Sequence, residues 1–158
     1  MGMIDKILVP IDFSDYSKNA LKYAVQFAKH FNSSMYLIYV IEPVIYPADF
    51  SMGQVAIPSM DTNIQSRAEE ELNNLAKNYV DPSIKVEIII KTGKPFVEIN
   101  ETAKEKDIDL IIIATHGHTG VEHLLFGSTA EKVVRKAPCP VLTLREPIKG
   151  FKFNQNLS

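Results

Sequence analysis

An α/β fold, with a parallel sheet covered by helices on both faces, is what this 158-residue sequence predicts. Three observations predict it. Short apolar runs alternate strictly with segments of helical periodicity, the order expected of repeated β-α units. The run Asp109-Leu-Ile-Ile-Ile113 is continuously apolar, as a strand buried on both faces must be. The length suits one domain with a sizeable core.

Each element can be justified in order. Lys6-Ile-Leu-Val-Pro-Ile11 is a short apolar first strand. Ser14 or Ser17 can cap a helix whose apolar positions are Ala20, Leu21, Ala24, Ala28 and Phe31. Ser34–Ile41 is the second strand. Glu42–Asn63 holds three prolines and has no clean period, so it reads as a long irregular connection. Its many apolar residues, from Val44 and Ile45 to Ile57 and Met60, suggest that it covers a crevice or meets a second subunit. Disorder is the alternative. A second helix places Ala68, Leu72, Leu75, Ala76 and Tyr79 on one face, and Lys85–Lys91 is the third strand. Gly93-Lys-Pro95 is a turn, with Pro95 suited to opening a helix that buries Phe96, Ile99 and Ala103. Leu110–Ile113, a glycine-bearing loop, a helix over Ala130–Lys136 and a last strand, Pro140–Leu144, complete the chain. One domain over residues 1–146 and a polar tail over 147–158 are expected.

Composition narrows the function. Net charge is −2, which supplies no basic field for a nucleic acid backbone. No apolar run approaches the roughly 20 residues that span a bilayer, so no membrane association is expected. The N-terminus reaches Asp5 and Lys6 and then a strand, unlike a signal peptide, and Lys6 stands where a myristoylation pattern wants Ser or Thr. Cys139 is the lone cysteine, so a reducing cytoplasm suits the chain.

The loop after the fourth strand carries the strongest chemical signal. Gly117, nine intervening residues and then Gly127-Ser128 join a strand's carboxyl end to a helix's amino end. Glycines let backbone N–H groups converge on an anion, and the helix adds the positive end of its dipole. A nucleotide's phosphates are the first candidate. In open parallel sheets, ligands sit beyond the carboxyl ends of the strands, where strand order reverses. If strands one and four are neighbours there, Pro10-Ile-Asp-Phe-Ser14 and the glycine loop line one crevice.

These residues resemble the ATP-binding branch of the universal stress protein family, whose signature is Gly-x2-Gly-x9-Gly-Ser/Thr. Gly117, Gly127 and Ser128 fill its last three positions, and Ala114 stands at the first. Asp12 matches the family's acidic residue after the first strand, and Val40 the residue ending the second. Ala137-Pro-Cys-Pro-Val-Leu142 is similar to the usual approach to the last strand. The resemblance runs from Ile7 to about Leu144. It implies a three-layer, Rossmann-like fold of the adenine nucleotide α-hydrolase type, with strand order 3-2-1-4-5. It also implies ATP in the crevice and a homodimer in which the strands Val141–Leu144 of two subunits pair.

The resemblance gives Asp12 to the ribose, its carboxylate accepting hydroxyl protons, the Val40 backbone to adenine, and Gly117, Gly127, Ser128 and Thr129 to the phosphates. Pro10, Ile11, Ala114, Thr115 and His116 complete the expected nucleotide-binding set. The plain alternatives are that Asp12 shapes a turn and Ser128 caps a helix. Alanine at 114 is harmless where φ is negative and its Cβ has room, and weakens binding where glycine is required. His116, His118 and His123 match no zinc spacing, and no metal site is expected. Mg²⁺ can accompany ATP through its phosphates. There is no Walker lysine and no placed general base, so slow or negligible hydrolysis is expected. The function implied is a nucleotide-dependent stress-response or signalling module. A dimeric adaptor with a degenerate nucleotide site and a weak ATP-hydrolysing enzyme are the alternatives.

Overall fold

The computed structural model describes residues 2–43, 62–116 and 126–145. Within them the order is β1 (Lys6–Pro10), α1 (Asp15–Phe31), β2 (Ser34–Ile41), α2 (Thr62–Tyr79), β3 (Val86–Thr92), α3 (Pro95–Glu105), β4 (Leu110–Ala114), α4 (Ser128–Lys136) and β5 (Val141–Leu144). All strand pairs are parallel, in the order β3-β2-β1-β4-β5. The expected order 3-2-1-4-5 is therefore the observed one.

Side-chain alternation along the strands builds two apolar layers. Ile7, Val9, Leu37, Leu110 and Ile112 face α1 and α2, meeting Leu21, Ala24, Val25, Ala28, Leu72 and Leu75. Leu8, Ile38, Val40, Ile111 and Ile113 face α3 and α4, meeting Ile99, Ala103, Ala130 and Val133. All of β4 is buried, which explains its unbroken apolar sequence.

Local chemistry sets the helix ends. The Ser14 side chain accepts the Ser17 N–H and caps α1, so Ser14 rather than Ser17 is the N-cap. Asp15 in the first turn and Lys29 and His30 in the last complement the dipole. Asn32 stops the helix in the left-handed region, at φ 58, and its N–H bonds the Ala28 carbonyl. Pro95 opens α3. Asp81, in the turn before β3, accepts the Ser83 N–H and hydroxyl and pairs with Lys29 at 2.8 Å. The Lys29 bond and the Ser83 bonds hold its carboxyl well below the usual range.

The boundaries differ from expectation at several points. β1 ends at Pro10, because Ile11 already turns away, although its N–H still bonds the Ile38 carbonyl at 2.8 Å. β3 runs one residue later, β4 extends to Ala114 and β5 begins at Val141 rather than Pro140. α2 starts at Thr62, inside the stretch expected to be irregular. Tyr79 is exposed, and Val80 takes the buried position at the end of that helix. The rest of the Glu42–Asn63 segment from Val44 to Asp61, and the tail over 147–158, lie outside the described residues.

One pair of strands positions the site. β1 pairs with β2 over its whole length but with β4 only at Ile7↔Leu110 and Leu8↔Ile111. Their amino ends are stapled by Asp109: its Oδ2 accepts the Asp5 and Lys6 N–H groups at 3.0 and 2.9 Å. Its own N–H bonds the Lys6 carbonyl at 3.0 Å. Beyond Leu8 the chains leave for opposite faces of the sheet, α1 to one and α4 to the other. A crevice opens at that reversal.

Leu72 ties α2 to the sheet and is fully buried. Leu72→Ala is expected to cost about 2–5 kcal/mol, read from urea denaturation. A loss under about 1 kcal/mol would show that α2 is not docked as described.

Candidate functional site

The crevice is a cavity of about 450 Å³, within the roughly 300–1,000 Å³ usual for small-molecule sites. β1 and the turn after it supply Pro10, Ile11 and Asp12, and the end of β2 supplies Tyr39, Val40 and then Glu42. β4 and its extension supply Ala114, Thr115 and His116, and α4 supplies Gly127, Ser128, Thr129 and Ala130. Pro95 and Ile99 of α3, Ser17 of α1, Ile38 and Ile113 complete the wall. Every expected site residue within the described residues lines this one cavity. Gly117 lies outside the described residues, as do His118 and His123.

Asp12 is held in place. One of its carboxylate oxygens, Oδ1, accepts both the Ser14 N–H, at 2.9 Å, and the Ser14 hydroxyl. The Asp12 N–H donates to Ser17 Oγ at 3.3 Å, and Ser17 Oγ donates to the Ser14 carbonyl at 3.0 Å. Asp12 therefore shapes the turn and also faces the cavity, so the two readings coexist. Between Asp12 and Ser14, Phe13 takes φ 63, a conformation that costs a bulky residue on the order of 1–3 kcal/mol. Its ring packs on Tyr39 with centroids 4.9 Å apart.

The amino end of α4 also lines the cavity. Gly127, not Ser128, is the N-cap, and it offers no side-chain bond to the helix. Ser128 is the first helical residue. The first backbone bond of the helix runs from the Glu131 N–H to the Gly127 carbonyl. The N–H groups before it have no partner within the helix, and Ser128, Thr129 and Ala130 all border the cavity. This end of α4 carries roughly half a positive charge. Asp12 and Glu42 line the same cavity, so it holds acidic groups as well as this helix end.

Two small residues do different work. Gly127 has φ −67, which any residue can adopt. Space is tight there: an added Cβ would sit 3.1 Å from the Thr115 carbonyl oxygen, which also accepts the Gly127 N–H, so that backbone would have to give by a few tenths of an ångström. Ala114 ends β4 opposite Leu144 and is not among the residues of positive φ. Its backbone makes no demand for glycine. Next to it, Thr115 is buried, and its hydroxyl lies 2.9 Å from His116 Nδ1. The His116 ring is stacked, tilted, against Tyr16 at 5.7 Å.

Sequence reasoning missed Ser17, Ile38, Tyr39, Glu42, Pro95, Ile99, Ile113 and Ala130 as wall residues. They belong to no motif, and the expected strand order alone does not say which side chains reach the wall.

Residues 3–145 match the sequence model of the universal stress protein family. The chain belongs to that family. Universal stress protein MJ0531 of Methanocaldococcus jannaschii is 36% identical over 94% of this chain and 86% of its own length. The solved structure of MJ0577, from the same organism, is 29% identical with a TM-score of 0.77, covering 92% of this chain and 99% of that one. A universal stress protein solved in complex with cAMP shares the fold at a TM-score of 0.64 and 24% identity, over 90% of this chain and 97% of its own.

In this universal stress protein, Tyr39 lines the cavity and is half-buried. Burial raises its pKa above the usual tyrosine value, and the carboxylates of Glu71, Asp12 and Glu42 raise it further. A raised pKa means that the fold disfavours the phenolate. Stability is then fully present below the unfolded value, about pH 10, and is lost as pH rises through the folded value. Tyr39→Phe is expected to flatten this alkaline loss in denaturation curves taken from pH 8 to 11. An unchanged alkaline slope would place Tyr39 in solvent.

Proposed function

We propose that this universal stress protein binds ATP in the cavity and acts as a nucleotide-dependent stress-response or signalling module, with slow or no hydrolysis. The observation that carries the reading is the polarity of the cavity. The uncapped end of α4 suits phosphates, the fixed Asp12 carboxylate suits ribose hydroxyls, and the end of β2 at Val40 suits the adenine edge. Thr115 and His116 flank the phosphate side, and Gly117 would extend it. A Mg²⁺ ion accompanying ATP would be held mainly through phosphate oxygens. Asp12 Oδ1 is occupied by Ser14, which suits a fixed acceptor better than a mobile base.

A homodimer through β5 belongs to the same proposal. Among the described residues, β5 pairs with β4 on one side only, and all four of its residues are half-buried. The Pro140 and Leu144 carbonyls accept from Ile111 and Thr115. Even-numbered residues therefore turn their backbone groups to β4, while Val141 and Thr143 turn theirs to the open edge. An open apolar edge is a template for another strand, and a second copy of β5 is a self-complementary one.

Two measurements test these readings. Nucleotide released from the purified protein by denaturation should be identified as ATP by mass spectrometry, and the stripped protein should rebind ATP at micromolar affinity or better in calorimetry. Gly127→Val, which crowds the Thr115 carbonyl, should weaken that binding at least about tenfold. No nucleotide, and no heat up to millimolar ATP, would overturn the reading in favour of a dimeric adaptor. For the dimer, Thr143→Pro removes only an edge-facing N–H. Light scattering should show a folded monomer where the wild type is a dimer. A monomeric wild type, or a variant that stays dimeric, would refute pairing through β5.

A further inference from the structure

Among the described residues, three non-glycine residues have positive φ: Phe13, Asn32 and Asp107. Asn and Asp visit this region readily, because their short polar side chains bond locally. Asn32 ends α1, and Asp107 lies in the turn after α3. Phe13 is different. A bulky residue at φ 63 is an outlier, and such strain persists where the surroundings over-determine it, commonly beside a ligand.

The surroundings that hold Phe13 are identifiable. Its ring is half-buried against the apolar layer beneath α1 and α2. It lies 4.9 Å from the Tyr39 ring at an interplanar angle of 52°, within the favourable range for aromatic pairs. On one side, Ile11 is pinned by its N–H bond to the Ile38 carbonyl. On the other, Ser14 is pinned as the cap of α1. Asp12 is the one residue between the first pin and the strained step. The left-handed step reverses the chain, so that the Ser14 N–H and hydroxyl come back onto Asp12 Oδ1 at the cavity wall. Tyr39, which grips Phe13, lines the same wall.

We infer that Phe13, clamped by Tyr39, is a positioning residue that fixes the Asp12 carboxylate for ribose hydroxyls and so sets discrimination between ribonucleotides and deoxy analogues. This rests on the ATP reading above. A carboxylate accepts a hydroxyl proton well only when its direction is fixed in advance, since a loose turn must be ordered anew at each binding event. A ligand without those hydroxyls gains nothing from the fixed direction. Phe13 therefore affects the two ligand types unequally, whereas a residue that merely supports the fold affects them alike.

The test is calorimetric titration of wild type and Phe13→Gly with ATP and with 2′,3′-dideoxyATP. Glycine adopts φ 63 without strain but cannot grip Tyr39. The wild type is expected to prefer ATP by at least about tenfold, the scale of one charge-assisted hydrogen bond. Phe13→Gly should lose most of that preference through weaker ATP binding, with dideoxyATP affinity unchanged, and Phe13→Tyr should restore it. Should Phe13→Gly fail to fold, Phe13→Leu keeps apolar bulk without the ring and should show the same collapse. Equal weakening of both ligands, with the preference intact, would overturn this inference alone. Absence of ATP binding by the wild type would overturn the functional reading and this inference with it.

Discussion

The partial pairing of β1 with β4 is the constraint on which the rest of the molecule depends. These strands are bonded at their amino ends, where Asp109 holds Asp5 and Lys6, and they part after Leu8. They part because the next elements go to opposite faces of the sheet, a consequence of where the strand order reverses. The gap brings the turn at Asp12 and the amino end of α4 to a single space. Gly127 sits at one corner of that space, where the α4 approach lies close against the Thr115 carbonyl and an added Cβ would crowd it.

Opposing features within the cavity also explain one another. An uncapped helix end is unfavourable if left without an anion or water. Asp12 and Glu42 line the same space, and with Glu71 they add to the burial that raises the Tyr39 pKa. A ligand that is anionic at one end and rich in donors at the other would complement both. The strain at Phe13 belongs with these features. It is a local cost that the core carries so that the turn keeps one shape.

Much of this was legible beforehand, for reasons that particular residues make plain. The unbroken apolar run ending in Ile113 specified a buried strand, and Pro95 specified a helix start. Every strand boundary fell within one residue of its expected place. The cavity's motif residues were legible because the family signature marks them by type and spacing, glycine at 127 and an acid at 12. Other features were not. Ser128 looks like a cap but stands one residue inside the helix, because the close approach at Gly127 takes the cap position first. Tyr39, Glu42, Pro95 and Ile99 carry no local signal, since strand order alone does not say which side chains reach the wall. The left-handed step at Phe13 was hidden too, as phenylalanine is among the residues least expected there.

The Asp109 staple has a consequence for how such a chain can change over time. It secures the sheet at the end remote from the cavity, so cohesion and recognition reside at opposite ends of the same strands. Substitutions in the carboxyl-end turns can alter which small molecule is accepted while the Asp109 bonds and both apolar layers stay as they are. Substitutions at the stapled end are felt by the whole fold and offer no new chemistry in return. The architecture is thus divided into a conservative half and an exploratory half, with the boundary crossing β1 near Leu8.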